Sequence, residues 1–325
     1  MSCLEPSAER ARTLDARMRE RLGASLDYIA ATLGDRMRIA PGALAEFQSR
    51  LAAGPVPSLV FGDYCEVVLA IDTGDLATAE QLFARILDRV PAPAGEPAVL
   101  AFRDPRSDPD SARVERLMNS DPDSETIILP LPAADEADAR AMISAAFEVI
   151  DRGFPEMAAE IRALLREIWL AAGHETKGGT TFDGVSSFFL WGAILLNARE
   201  QKTVLNMAQA LAHESGHNLL FGLCADGPLV ENDDAERFSS PLRVDLRPMD
   251  GIVHAVFVIA RMHVLLARLL ASGQLTGDAL QQARLDLETH RKGFAAGMAV
   301  VERGARLTDV GRTVMADARR YMAGA

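Results

Sequence analysis

Apolar residues recur at intervals of three and four along most of this chain, and the places where that rhythm fails divide it. Residues 7–33 and 59–90 carry the rhythm, with Ala and Arg filling the polar positions. Gly and Pro in "IAPG" and "AAGPVP" punctuate the interval between them, so the first ninety residues read as mostly helical. The pattern disappears over 91–125, where Pro, Asp and Ser crowd around one short apolar patch. That stretch reads as a connecting region, and its DPD triplets as turns rather than metal ligands.

Beyond it, "ETIILPLP" at 125–132 predicts a short strand stopped by Pro130 and Pro132. A long helix is expected from about 134 to 172, broken or kinked at Pro155. "KGGTTFDGVSSFFLWGAILLN" mixes glycines, β-branched residues and aromatics, which predicts two short strands or a hairpin. A helix from about 202 to 222 follows, terminated by Gly222. After a polar, Pro-broken segment comes an apolar helix from Gly251 to about Ser272, with Asp250 as its N-cap. These elements predict a mainly α fold with a small antiparallel sheet, and too few strands for a jelly roll. The expected division is a helical region over 1–120, available for peptide binding, and a catalytic region over 121–325.

Composition narrows the possible functions. A net charge of −12, from 46 acidic against 34 basic residues, gives no electrostatic footprint for nucleic acid or an anionic membrane. Cys3, Cys65 and Cys224 are far apart and form no CxxC, which argues against a disulfide framework or a thiolate zinc site. The N-terminal residues lack the apolar core of a signal peptide, and the apolar run "FFLWGAILL" is too short to span a bilayer. A cytoplasmic protein is the expectation.

The candidate chemistry lies in "LAHESGHNLLFG" at 211–222. On a helix, His213 and His217 stand four residues apart on one face, where both imidazoles reach one metal ion. Glu214 beside them is either the base that takes a proton from metal-bound water or a group that orients a ligand. A working site also needs a third ligand and an open position. The longer peptidase pattern fails, because Leu220 and Leu223 stand where Gly and His would be. His254, in the first turn of the next helix, is well placed to close the site, and Glu231 and Glu236 in the intervening acidic loop remain open alternatives.

The arginines bear on the choice of chemistry. If 242–247 is extended, Arg243 and Arg247 share one face with Asp245. Arg261, seven residues after His254, lies on nearly the same helix face about 10 Å further along, whereas His263 falls opposite and reads as structural or exposed. A guanidinium fork matches the free carboxylate of a dicarboxylic cosubstrate held by its other end on a metal, a need that a peptidase does not share. Pairing with nearby acids such as Asp233, Asp234 and Asp245 is the plainer alternative for each arginine.

"HESGH" at 213–217 and "SPLRVDLRPMDGIVHAVFVIAR" at 240–261, with "FDGVSSFFLWGAILLN" ahead of them, resemble the HExxH-type, 2-oxoglutarate-dependent peptide β-hydroxylases of ribosomal peptide natural product pathways. The likeness covers about 180–270. It implies Fe(II) held by His213, His217 and His254, and 2-oxoglutarate chelating that iron with its far carboxylate on Arg247, Arg243 or Arg261. It also implies O2 as oxidant and a ribosomally synthesised precursor peptide as substrate. An all-histidine set departs from the two-histidine, one-carboxylate pattern common among non-haem oxygenases, which keeps Glu231 and Glu236 in view. Two other classes stay open: a zinc metallopeptidase or amidase with Glu214 as catalytic base, and a non-catalytic peptide-binding scaffold.

Overall fold

The computed structural model describes residues 3–90, 95–119, 126–173, 181–240 and 246–324. In chain order its helices and strands are α1 (Ala8–Leu33), α2 (Ala43–Ala53), α3 (Ser58–Asp72), α4 (Leu76–Asp88), β1 (Ala98–Ala101), α5 (Pro109–Met118) and β2 (Ile128–Leu129). There follow α6 (Ala133–Gly153), α7 (Pro155–Leu164), β3 (Glu167–Gly173), β4 (Gly184–Val185), β5 (Ala193–Asn197) and α8 (Val204–Leu223). The last are β6 (Phe238–Ser239), β7 (Leu246–Arg247), α9 (Met249–Ala271), α10 (Gly277–Gly304) and α11 (Asp309–Ala323). The protein is mainly helical with a small sheet, as the apolar pattern predicts.

Two compact units interleave in sequence. One comprises residues 9–139 and 162–200, the other residues 1–8, 140–161 and 201–325.

The first unit holds the five-stranded sheet. Its strands run β1-β3-β5-β4, with β1, β3 and β5 parallel, β4 antiparallel to β5, and β2 antiparallel to the end of β3. The expected antiparallel sheet is therefore corrected to a mixed sheet with a parallel centre. The reason is visible in β3, "EIWLAAG", which is buried on both faces and so shows no alternation. Its apolar run continues the preceding helical pattern without interruption, and the sequence reads it as the end of one helix. The break at Pro155 is present: α6 stops at Gly153, and Pro155 opens α7 at a position where its missing N–H costs nothing.

Packed against this sheet are Leu59, Phe102, Val114 and Leu117, which meet Trp169 and Leu195. Two buried carboxylates tie the unit together. Glu167 accepts hydrogen bonds from the Trp169 indole at 3.1 Å, the Ser58 hydroxyl, and the Ser58 amide at 3.3 Å. Asp15 on α1 accepts from the Trp191 indole at 3.1 Å and pairs with Arg166 at 3.2 Å and Arg19 at 3.0 Å.

The second unit is built on α9, whose buried residues run from Met249 to Leu269 around most of its circumference. This helix has a mean hydropathy of 1.8 and the length of a membrane span, and 72% of its apolar window is buried in the protein. Its neighbours are α8, α10 and α11. Helix α8 starts one residue after Thr203, whose hydroxyl accepts from the Asn206 amide at 3.1 Å, and it runs one residue past the expected stop at Gly222. Helix α9 begins at Met249 after Pro248, so Asp250 sits in its first turn, where a carboxylate favours the positive end of the helix dipole.

Replacing Asp15 with Ala should destabilise the protein by about 3–5 kcal/mol, because it leaves Arg166 buried without its counter-charge. Trp191→Phe, which removes only the indole donor, should cost about 1 kcal/mol. Urea denaturation of both variants checks the difference, and equal losses would mean that the ion pair contributes nothing beyond the hydrogen bond.

Candidate metal centre

Helix α8 is buried on nearly all sides, with a half-buried stripe through Ala210, His213, His217 and Phe221. Spacings of three and four place these side chains one above another. Between the two histidines, Glu214, Ser215 and Gly216 face the interior. Gly216 lets α9 come close: a Cβ there would stand 3.1 Å from Val258 Cγ1, a tight contact that Val258 would have to yield to, and 3.7 Å from Arg261 Cγ, an ordinary one.

That approach brings His254, on the first turns of α9, against the stripe. The His217 Nε2 lies 3.2 Å from His213 Nε2, and its Nδ1 lies 3.1 Å from His254 Nδ1. The three rings thus form a chain with His217 at its centre, their centroids 4.9 Å and 5.3 Å apart. Carboxylates stand at both ends: Glu214 Oε1 is 3.8 Å from His213 Nε2, and Asp250 Oδ2 is 3.7 Å from His254 Nε2. Phe221 stacks on the His217 ring at 6.4 Å and contacts His254 at 5.6 Å.

Metal binding requires neutral imidazoles with lone pairs aimed at one point. Burial pushes His254 below the ordinary imidazole range, with Asp250 acting in the opposite sense, so the ring is neutral at physiological pH. Two nitrogens held about 2.0–2.1 Å from one ion at a near-tetrahedral angle stand about 3.3–3.4 Å apart. The 3.2 Å between His213 Nε2 and His217 Nε2 fits that spacing. His254 instead meets the opposite nitrogen of His217, so an ion shared by all three requires its ring to turn. In keeping with this, no three His, Cys, Asp or Glu side chains form a ready metal seat among the described residues.

The remaining candidates fall into place differently. Glu236 accepts from the guanidinium of Arg306 and from the Asp233 amide at 3.0 Å, and Arg306 above all holds its carboxyl down at about 2. Glu231 is exposed, and its amide donates to the Arg306 carbonyl at 2.7 Å. Arg261 is fully buried and bound to the Glu160 carboxylate, the Leu4 carbonyl at 2.9 Å and Met157 Sδ at 3.1 Å. Its fork is occupied by a carboxylate of the protein itself. Arg247, half-buried, pairs with Phe238 across the β6–β7 ribbon and lies just ahead of α9. Arg243 and Asp245 lie outside the described residues, as does most of the extended stretch expected over 242–247.

His263 is buried and hydrogen-bonded to the Tyr321 hydroxyl at 3.0 Å, in agreement with a structural reading. The sequence reading missed Phe221 and Asp250, yet each stands four residues from a candidate ligand, and that spacing was the available signal. Cys224 follows α8, and burial together with the Asp250 carboxylate pushes its thiol up to about 12, which keeps it protonated.

Neither a family model nor a curated protein sequence matches this chain.

Fe(II) or Zn(II) added to metal-free protein at 100 times its Kd should stabilise the fold by about 2.7 kcal/mol, read as a rise in Tm. His217→Ala should abolish that rise, because both inter-histidine contacts pass through it, whereas Glu236→Ala should preserve the rise. A metal response that survives His217→Ala would place the ion elsewhere.

Proposed function

We propose that this protein is an Fe(II)- and 2-oxoglutarate-dependent oxygenase that hydroxylates a side-chain β-carbon of a ribosomally synthesised peptide in the cytoplasm. The observation that carries this reading is the meeting of His213, His217 and His254 across two helices, with Arg247 on the strand that leads into the second. The resemblance of 213–217 and 240–261 to HExxH-type peptide β-hydroxylases supplies the reaction class.

His213 and His217 would hold the iron through their Nε2 atoms, and His254, with its ring turned towards them, would be the third ligand. Bound there, the metal would supply activation of O2 coupled to oxidative decarboxylation of the 2-oxo acid. The net change takes peptide C–H, O2 and 2-oxoglutarate to peptide C–OH, succinate and CO2. Arg247 binds the far carboxylate of 2-oxoglutarate through its guanidinium fork, a role that Arg243 shares in this reading. Arg261, occupied by Glu160, is left to stabilise the fold. Asp250, beside the His254 Nε2, would steer that ring, Glu214 stands beside the His213 nitrogen that would hold the iron, and the Phe221 ring stacks on His217.

One observation favours a second reading, a zinc peptidase or amidase. Glu214 is buried, only 4% exposed, beside the His213 nitrogen, where a carboxylate is placed to take a proton from metal-bound water. The two readings separate by cosubstrate and product.

Incubation with Fe(II), 2-oxoglutarate and a precursor peptide encoded near the gene should add one oxygen atom to an uncut peptide, as seen by mass spectrometry. Cleavage without cosubstrate would establish the hydrolase instead. Glu214→Gln should retain measurable hydroxylation, and Arg247→Ala should raise the 2-oxoglutarate KM by about 10- to 100-fold, the loss of one charged hydrogen-bond pair. An unchanged KM would move the carboxylate anchor away from Arg247.

A further inference from the structure

Two imidazoles that the proposed chemistry does not use lie in the bundle of α9, α10 and α11. His263 on α9 is completely buried, and its ring stands edge-on to Tyr321 of α11 at 5.5 Å. Its Nδ1 is satisfied by the Tyr321 hydroxyl, but its Nε2 is buried with no hydrogen-bond partner among the described residues. On the facing helix α10, His290 likewise buries an Nδ1 without a hydrogen-bond partner among the described residues.

The surroundings oppose a proton on His263. Burial, then Arg291, then His290 push it down to about 4. His290 is also lowered by burial, with Asp286 acting in the opposite sense. Asp286 itself is held by Gln209 of α8 at 2.9 Å and Gln282 at 2.7 Å, and Tyr321 faces Glu5, Arg268 and Arg291. The neutral rings suit this core better, since a proton on either would bring a charge to a buried nitrogen that has no hydrogen-bond partner among the described residues.

We propose that His263 and His290 form an acid-sensitive lock that holds α9 against α10 and α11, and that protonating them frees α9 and displaces His254 on the same helix. The folded-state value for His263 lies below the 6.5 of a free imidazole. The stability contributed by this lock is thus fully present above about pH 6.5 and drains away as pH falls towards about 4. The link to His254 rests on the metal reading; the lock itself does not.

Thermal unfolding of metal-free protein from about pH 7.5 to about pH 4.5 tests it, comparing wild type with His263→Asn, which keeps a donor or acceptor for Tyr321 but cannot take a proton. Wild type should lose on the order of 5–10 °C more than the variant across that range. Parallel curves overturn the lock. Should His263→Asn fail to fold, NMR titration of the wild-type ring decides: it should stay neutral to pH 5, and an ordinary midpoint near 6.5 overturns the lock. Absence of metal binding at neutral pH would sink the metal reading while leaving the Tm comparison valid. If metal does bind, wild type should release it on acidification before His263→Asn does, and simultaneous release would overturn the coupling to His254.

Discussion

The crossing of α8 and α9 is the constraint on which the candidate centre depends. His213 and His217 share a helix and would face the same way in any fold that keeps it helical. His254 reaches them from the other helix, where Gly216 keeps the crossing close. The same crossing sets Val258 and Arg261 over the motif, so the apolar contact and the polar cluster arise from a single packing event. Dispersion gains from such close contact are small per atom and accumulate along the seam, which makes the separation of the two helices a stiff coordinate.

Behind that seam lies a buried charge pair. Arg261 and Glu160 have no exposed side-chain surface, and Glu160 also accepts the Ser7 amide at 2.7 Å, while Arg261 donates to the Leu4 carbonyl. A pair of this kind contributes little net stability against an apolar substitute, but losing one partner strands the other in a dry interior. Its arginine lies on α9 seven residues beyond His254, on the helix that carries that ring. The N-terminal residues, by tying into the pair, become part of the scaffold behind the imidazoles.

Local signals were legible in the sequence and distant partnerships were not. The i, i+4 histidines, the Pro155 break, the hairpin ahead of α8 and the two long helices were all readable, because each rests on spacing within one turn or on one residue's backbone chemistry. Strand β3 was misread because burial on both faces erases the alternation that marks a strand, and β1, four half-buried apolar residues, was passed over because so short a run shows no period. The fate of Arg261 depends on Glu160, 101 positions away, a partnership that periodicity cannot express. The nitrogen that His254 presents depends on a ring orientation set by Asp250 and His217 together, which spacing alone leaves open.

The apolar girdle of α9 also has a consequence for biosynthesis. This helix emerges from the ribosome before α10 and α11, the elements that cover much of it, so on emerging it is a span-length apolar segment whose cover is still inside the exit tunnel or untranslated. Such a segment recruits chaperones or, failing them, other copies of itself. Completion of α10 and α11 is therefore what closes this segment off, and chaperones that hold it in the interval work in favour of yield.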